Sequence, residues 1–472
     1  MRSSNRQLLS VLAACAFSAQ VAHGAAIITI VNGDPAGVGF NDATAAAPVG
    51  GNAGTTLGQQ RLNAFQAAAN KWGATLTSSV FIRVSARWTA LACNATGAVL
   101  GSAGATEVFR DFAGAPIAGA WYGKALANSL TGFDLDPPTA DINANFNVNL
   151  GQPGCLTGVF FYLGLDNNHG SNVDLVTVLE HEFAHGLGFQ TFTSGSTGAF
   201  NVGFPSAWDF FLFDSAANLT WSAMSAAQRV TSAIGGKLVW SGANVASAVP
   251  TVLALGLPFL NVSAPASLAG TYEVGTASFG PALSSPGITG EVMPVFDTVP
   301  NIGLACNPLS AADAAAVNGK IAMVDRGTCN FNVKVANVQA AGAIAAIVVD
   351  TVAGSPPSGM GGTDPTITIP SVRITLGDGN ALRNFLQFRS RTNSGMFATL
   401  SVDGTKRQYA DASNRPFMYT PNPFQGGSSV SHWDIRMFPN QLMEPAINAD
   451  LTHEVTPNFD LTYRLLKDIG WQ

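Results

Sequence analysis

The chain has 472 residues, of which 47% are hydrophobic and only 11% are charged, and its formal net charge at pH 7 is −6. This composition excludes the usual pattern of a disordered protein, and the length favours two or more domains. Lysine and arginine form no basic patch along the sequence, so nucleic acid is not expected as a partner.

The first residues predict export. Arg2 and Arg6 precede an apolar run from Leu8 to Val21, and the small residue Gly24 follows. This order is typical of a secretory signal peptide. We therefore predict a signal peptide at residues 1–24 and a secreted location, extracellular or periplasmic. The apolar run is too short to span a bilayer comfortably, and no later segment is predicted to be a transmembrane helix.

The elements that follow are predicted from periodicity. Ile27 to Val31 is mostly β-branched and Val80 to Val84 is apolar, which favours strands, whereas the apolar residues between Arg61 and Trp72 recur at helical spacing. Phe160 to Leu163 is interpreted as a strand that lies over a substrate cleft. His169, just beyond it, is interpreted as a solvated turn residue.

A helix with a metal-binding pattern is predicted next. The run from Val178 to Phe189 contains H-E-x-x-H, with His181 and His185 four residues apart. On a helix this spacing places two imidazoles on one face, close enough to share a metal ion. Glu182 can then reach a water held by the metal, deprotonate it and pass the proton to a leaving amine. The alternative is a buried helix in which the two histidines merely satisfy each other's hydrogen bonds.

The ends of this helix are also predicted. Ser171 followed by Asp174 indicates an N-terminal cap, and Gly186 and Gly188 are expected to end the helix because glycine takes left-handed conformations easily. The residues between them leave almost no polar face, so we expect the helix to be buried.

The third ligand is taken from a family resemblance. H-E-x-x-H-x-x-G resembles the metzincin metallopeptidases, but Thr191 stands where their compact motif has a third histidine. Far downstream, Ser431-His432-Trp433-Asp434 precedes Met443, which lies eleven residues after His432. This arrangement is similar to the leishmanolysin branch, in which an insertion separates the glycine from the third ligand and from a methionine-containing turn. The resemblance implies that His432 is a zinc ligand and that Met443 is a hydrophobic floor beneath the metal.

Three other residues compete with His432 for this role. Thr191 occupies the compact motif's position, but a hydroxyl is a weak zinc ligand at neutral pH. His453 lacks a methionine turn at the right distance behind it. His169 precedes the helix, from which the turn at Gly188 is expected to carry the chain away.

A second resemblance covers the region between these ligands. The sequence D-R-G-T-C-N-F at 325–331, the K-V pair at 334–335 and A-G-A at 341–343 predict a strand, a cysteine-bearing turn, a helix and a second strand. These elements, with the later Ile369-Pro370 strand, resemble a protease-associated domain. Such domains are associated with substrate selection or protein contact. Arg326 and Lys334 are interpreted as surface charges.

The two resemblances imply an α+β fold. A metzincin-like zinc peptidase domain, with a twisted mixed sheet and an active-site helix, is interrupted by an α/β-type protease-associated domain, which we call the insert. The predicted divisions are the signal peptide at 1–24, the first part of the metallopeptidase domain at 25–259, the insert at 260–402, and the second part of the metallopeptidase domain at 403–472.

The cysteines are interpreted on the same division. Cys15 lies in the signal peptide, and an even number remains, which in an exported chain argues for disulfides. Four cysteines allow three connectivities, and sequence alone does not choose among them. Because the division separates the two sets, we predict Cys93 paired with Cys155, and Cys306 paired with Cys329.

The function implied is that of a secreted zinc-dependent endopeptidase acting on proteins or peptides. Zn2+ would be held by His181, His185 and His432, with Glu182 as general base and then general acid. One rival is a non-catalytic secreted binding protein that uses the insert and keeps a structural zinc site, although a structural site does not need Glu182. A second rival is a metallohydrolase acting on something other than peptides.

Overall fold

The computed structural model describes residues 24–296, 303–456 and 458–472. The predicted signal peptide therefore lies outside the described residues, except for Gly24. Among the helices of the described part, none is both long enough and apolar enough to cross a membrane.

The part of the chain before the insert is a mixture of short strands and helices. Its strands are β1 (Ile28–Asn32), β2 (Ile82–Thr89), β3 (Gly101–Ala105), β4 (Val108–Phe109), β5 (Tyr122–Gly123), β6 (Ile142–Asn147), β7 (Phe161–Tyr162), β8 (Val173–Asp174), β9 (Leu212–Asp214), β10 (Leu219–Thr220) and β11 (Leu238–Trp240). Its helices are α1 (Leu57–Thr75), α2 (Lys124–Thr131), α3 (Leu175–Leu187), α4 (Ala226–Ser232) and α5 (Ala243–Val252).

A four-stranded mixed sheet supports helix α3. Its strand order is β1-β2-β6-β3, in which β1, β2 and β6 are parallel and β3 runs antiparallel at one edge. Strand β2 alternates buried and partly exposed residues, so one face of the sheet packs on the core. A twisted mixed sheet with a helix packed on it was predicted for this domain, and the sheet and α3 agree with that prediction as far as α/β composition is concerned.

Helix α3 is buried along its whole length, as its composition predicts. Its cap differs from the prediction: Asp174 is the N-cap residue and accepts from the Thr177 N–H at 2.8 Å. Gly188 ends the helix with φ of 123°. Gly186 instead lies within the helix, where a Cβ would come 2.4 Å from the Ile142 side chain on β6. Its role is therefore close packing on the sheet, which the sequence pattern does not distinguish from helix termination.

Two indoles fix helix α3 from other parts of the chain. Trp72 on α1 donates its Nε1–H to the Glu180 carbonyl at 2.9 Å. Trp471, near the end of the chain, donates to the carbonyl of Leu187 at 2.7 Å, which satisfies an otherwise unpaired group of the last helical turn. It follows the helix α9 (Thr462–Ile469).

The insert forms a second sheet with its own helices. Its strands are β12 (Leu255–Ala264), β13 (Gly270–Tyr272), β14 (Gly275–Thr276), β15 (Ile288–Pro294), β16 (Ile321–Asp325), β17 (Ala345–Val349), β18 (Ser371–Ile374) and β19 (Phe397–Arg407), and its helices are α6 (Ala311–Val317), α7 (Phe331–Ala340) and α8 (Leu376–Leu386). The order is β13-β12-β19-β15-β16-β17-β18-β14, with β15 to β18 parallel. The predicted strand–helix–strand unit corresponds to β16, α7 and β17. The predicted limits at 260 and 402 fall within β12 and β19.

Both predicted disulfides are present. Cys93 is bonded to Cys155 with a Cα–Cα distance of 5.1 Å, and Cys306 is bonded to Cys329 with a Cα–Cα distance of 5.7 Å. The second bond lies within the insert, so no disulfide links the two sets.

Two interpretations of single segments change. Phe161–Tyr162 is a strand, β7, as predicted, and it pairs with β8; of the described residues, those of β3 line the cleft, and those from Phe160 to Leu163 do not. Lys334 is fully buried, not a surface charge: its Nζ donates to the carbonyls of Leu304 and Gly327, both at 2.7 Å. These carbonyls compensate for the burial of the ammonium group.

Candidate metal centre

The three predicted ligands come together. His181 and His185 lie on α3, and His432 reaches them from the far end of the chain. The Nε2 atom of His432 is 3.2 Å from that of His181 and 3.2 Å from that of His185. All three side chains are buried. Of the groups with three or more potential ligands among the described residues, this is the one whose donor atoms lie close enough to hold a metal.

The backbone sets the tautomer of each ring. The Nδ1 atoms lie 2.7 Å from the Leu442 carbonyl for His181, 2.7 Å from the Phe189 carbonyl for His185 and 2.8 Å from the Ser428 carbonyl for His432. A carbonyl only accepts, so each Nδ1 must carry the hydrogen and donate it. In a neutral ring, each Nε2 then presents a lone pair toward the other two.

Burial keeps the three rings neutral. It lowers the pKa of His181 to about 3 and the pKa of His185 to about 4. Burial also holds the pKa of His432 well below its ordinary value, and the two neighbouring histidines lower it further. A neutral imidazole with a fixed tautomer is the form in which histidine binds metals.

The histidine cluster fits zinc. Three converging lone pairs cannot hydrogen-bond to one another, so the two helix histidines do not satisfy each other as the structural alternative requires. A cation among them would satisfy all three. For tetrahedral zinc with Zn–N bonds of about 2.0–2.1 Å, ligand nitrogens stand roughly 3.3–3.4 Å apart, close to the observed separations.

Glu182 lies beside the histidines in an apolar setting. It is buried, and burial raises its pKa from the ordinary value of 4.5 to about 8, although a hydrogen bond with the backbone of Ala103 opposes the shift. Ala103 belongs to β3, which runs along this side of the helix. A Cβ at Gly101 would come 2.9 Å from Cγ of Glu182, so the glycine lets the carboxylate pack against the strand.

The competing residues lie outside the cluster. The Thr191 hydroxyl donates to Asp209 at 2.7 Å, and the His169 ring bonds the carbonyl of Asn172 at 2.8 Å. His453 pairs with Asp174, the N-cap of α3, at 2.8 Å. Each of the three therefore has another partner.

The segment around Met443 supports the site through its backbone. Met443 is fully buried, and its carbonyl accepts from the Trp433 N–H at 2.8 Å. The adjacent Leu442 carbonyl is the one that orients His181, while the Leu442 N–H donates to the buried Asp460 at 2.6 Å. No sequence pattern indicates the roles of Leu442, Phe189 and Ser428, because each contributes a backbone carbonyl group, which every residue possesses.

A cleft opens onto the histidines. It has a volume of about 910 Å³, and β3 with the residues before it forms one wall. The other wall contains Phe424, the Gly426-Gly427 pair and Ile447. Apart from the three histidines, Glu182 is the one ionisable residue among the described residues that line the cleft.

Comparison with known proteins identifies one domain. Residues 288–382 match the family model described as PA domain. This match lies inside the predicted insert, and the chain therefore contains a PA domain. No curated protein matches the chain.

Solved structures match only in part. An aminopeptidase from Aneurinibacillus sp. strain AM-1 is 27% identical, with 32% of this chain and 31% of that chain covered and a TM-score of 0.25. BSAP, a zinc aminopeptidase from Bacillus subtilis, is 21% identical, with 37% and 38% covered and a TM-score of 0.24. A subtilisin-like protease from Pseudoalteromonas sp. AS-11 is 19% identical, with 35% and 37% covered and a TM-score of 0.24. The chain thus spans a little over a third, at most, of these proteins, and TM-scores this low assign no fold to the part of the chain that carries the histidine cluster.

Proposed function

We propose that this chain is a secreted, zinc-dependent endopeptidase of the metzincin type, similar to the leishmanolysin branch. The observation that carries the proposal is the convergence of three neutral Nε2 lone pairs beside a buried carboxylate, on the floor of an open cleft. His181, His185 and His432 would hold the zinc. The distant third histidine and the buried Met443 turn are the features that favour this branch.

The chain's own residues divide the chemistry among them. Zinc, when bound, would supply Lewis-acid activation of a water molecule at this site. Glu182 accepts the proton from the attacking water and then delivers it to the leaving amine. One carboxylate can serve both steps, because the proton that it takes from the water is the proton that it returns to the amine.

The shape and charge of the cleft favour endopeptidase activity. An exopeptidase must recognise the charged terminus of its substrate, for which a dedicated ionic partner is needed. The described lining offers only Glu182 and the histidine cluster, all of which are used in the proposed chemistry. Among the described residues, no second strand pairs with the outer edge of β3, so an extended substrate can lie beside it.

The rivals differ in what they require of Glu182. A non-catalytic binding protein with a structural zinc site has no use for a carboxylate at this position, in an open cleft. A hydrolase acting on a substrate other than a peptide would use the same residues, so the substrate must be tested directly. The first experiment is therefore the cleavage of an unfolded protein, with and without a chelator. Internal cleavage that the chelator stops, and that zinc restores, supports the proposal.

The ligand assignment is tested separately. His432→Ala should lose zinc on dialysis and lose activity, because a site of two imidazoles binds the metal more weakly. His169→Ala is the matched control, since that ring lies outside the cluster, and it should keep both. His453→Ala should also keep zinc. If His432→Ala retains stoichiometric zinc and cuts peptides normally, the proposed assignment is wrong.

A further inference from the structure

The residues that carry the third histidine are the return path from the insert. We call residues 422–436 the ligand segment. Inside it, the Ser428 carbonyl orients the His432 ring at 2.8 Å. The Val430 N–H donates to Tyr419 and the Tyr419 N–H donates to His432, both at 2.8 Å. The ring position therefore depends on where this segment is held.

The insert holds the start of the ligand segment. Ser355 and Asn422 form an isolated antiparallel bridge, with the Ser355 N–H donating to Asn422 at 3.0 Å and the Asn422 N–H donating to Ser355 at 2.9 Å. Phe424 and the Gly426-Gly427 pair follow at once and line the cleft. A pair of glycines has little intrinsic stiffness, so an anchor just before it limits the movement of this wall.

The insert also holds the end of the ligand segment. Arg436 is bound by Asp434 through two hydrogen bonds of 2.7 Å, and its remaining Nη1 donates to Glu273 of the insert at 2.7 Å. The Arg436 and Asp434 side chains are 4% and 3% exposed, whereas that of Glu273 is 51% exposed. The Arg436 guanidinium also lies 4.3 Å from the Tyr409 ring, whose hydroxyl donates to the carbonyl of Val274 in the insert at 2.9 Å.

We propose that the insert positions the third zinc ligand, with Glu273 and Arg436 acting as positioning residues for His432. This inference rests on the proposed function, because it gives His432 the role of a ligand. Both anchors come from the insert, and the residues that they hold, Asn422 and Arg436, lie on either side of His432 in sequence. This gives a physical reason for the position of the insert between the ligands: the insert fixes the position of His432 but supplies none of the reacting groups.

Glu273 is the residue to change. Its side chain is half exposed, and its removal leaves the Arg436–Asp434 pair intact, so no buried charge loses its only partner. Glu273→Ala removes the anchor, and Glu273→Lys places a like charge beside Arg436. Glu291→Gln is a control, because Glu291 also pairs with a cation, Lys320, at 2.6 Å, but within the insert, and an amide oxygen can still accept from the backbone N–H groups of Ser394 and Gly395. Lys237→Ala is a second control, since it removes the more distant partner of Glu273, at 3.6 Å.

Two readouts are needed. The first is hydrogen exchange of peptides covering the ligand segment in the zinc-free full-length protein. The second is the rate of zinc loss to a chelator. For Glu273→Ala we expect both rates to rise about two- to fivefold, the size expected for a partly exposed ion pair, and for Glu273→Lys we expect a larger rise. The two controls should match the parent protein.

The outcomes separate this inference from the proposed function. If exchange in the ligand segment is unchanged in both Glu273 variants, the inference is wrong, whatever the enzyme does. If exchange rises but zinc is lost at the parental rate, while His432→Ala loses zinc, the insert does not position the ligand. If His432→Ala keeps its zinc, the proposed function fails first.

Discussion

The metal centre and the insert both bury polar groups, but they compensate for them differently. In the insert, Lys334 donates to two carbonyls, and Asp350 accepts from Arg326 at 2.9 Å and also from Arg373. At the metal centre, the histidine Nε2 lone pairs face one another without a donor between them. Buried polar groups that satisfy each other stabilise an architecture, whereas groups that converge unsatisfied are arranged for a ligand. This difference favours the histidine cluster at α3, rather than the ion pairs of the insert, as the place where a metal would bind.

The largest expected effect breaks the chemistry alone. Glu182→Gln should keep zinc but lower the turnover number about 10²–10⁴-fold, because an amide cannot accept and return the proton. Steady-state kinetics on a peptide substrate, with zinc content measured in parallel, tests this. The control is Glu454→Gln, a half-buried surface residue paired with Lys71 at 3.7 Å. Near-normal turnover in zinc-loaded Glu182→Gln would remove this residue from the mechanism.

A buried charge of the insert should matter for stability only. Lys334→Met keeps the length of the side chain but leaves the carbonyls of Leu304 and Gly327 without this donor. The expected destabilisation is about 1–3 kcal/mol, measured by denaturant unfolding followed in the insert. Lys406→Met, an exposed position on β19, should change stability far less. If Lys334→Met abolished zinc binding while the insert stayed folded, the comparison between the two regions would fail.

The smallest effect is a pH dependence of the zinc-free protein. Folded Glu182 keeps its proton up to a pKa of about 8, whereas the unfolded chain releases it near 4.5. The unfolded state thus binds fewer protons in this window, and the contribution of Glu182 to stability is lost as pH rises through it. The melting temperature of Glu182→Gln, relative to the parent, should therefore rise from pH 5 to pH 8. A constant difference would show that Glu182 is ionised in the folded zinc-free protein.

The histidines act in the opposite direction, and both proteins share them. Their lowered pKa values mean that the unfolded chain binds more protons as pH falls below about 6.5. Stability is therefore lost toward low pH in the parent and in Glu182→Gln alike. Taking the difference between the two proteins removes this contribution.

Strongly periodic features were predictable from sequence. The buried helix follows from its apolar residues, and the histidine spacing follows from helix geometry. The place of His432 in the cluster required a family resemblance, because nothing local relates this residue to a helix that lies far away in sequence. The disulfide pairs also depended on a resemblance, because they were chosen from the domain division that the two resemblances imply.

The errors have physical causes. Strand β3 is Gly-Ser-Ala-Gly-Ala, which lacks the β-branched and aromatic residues that indicate strands, while Phe160 to Leu163 has them. Strand β3 forms because its backbone pairs with that of β6, not because its side chains favour a strand. A lysine is expected at the surface because of its charge. Lys334 can be buried because the fold places the carbonyls of Gly327 and Leu304 within hydrogen-bond distance of its Nζ. Tertiary hydrogen bonds of this kind leave no pattern in the sequence.

X-ray absorption at the zinc edge tests the central claim most directly, because it counts the imidazoles around the metal. The parent protein, loaded with one equivalent of zinc, should show three imidazole ligands with Zn–N distances of about 2.0–2.1 Å. His432→Ala, loaded with zinc in excess, should show two or fewer, and His169→Ala should still show three. Three imidazoles in zinc-loaded His432→Ala, or fewer than three in the parent, would contradict the assignment of His181, His185 and His432 as the metal site.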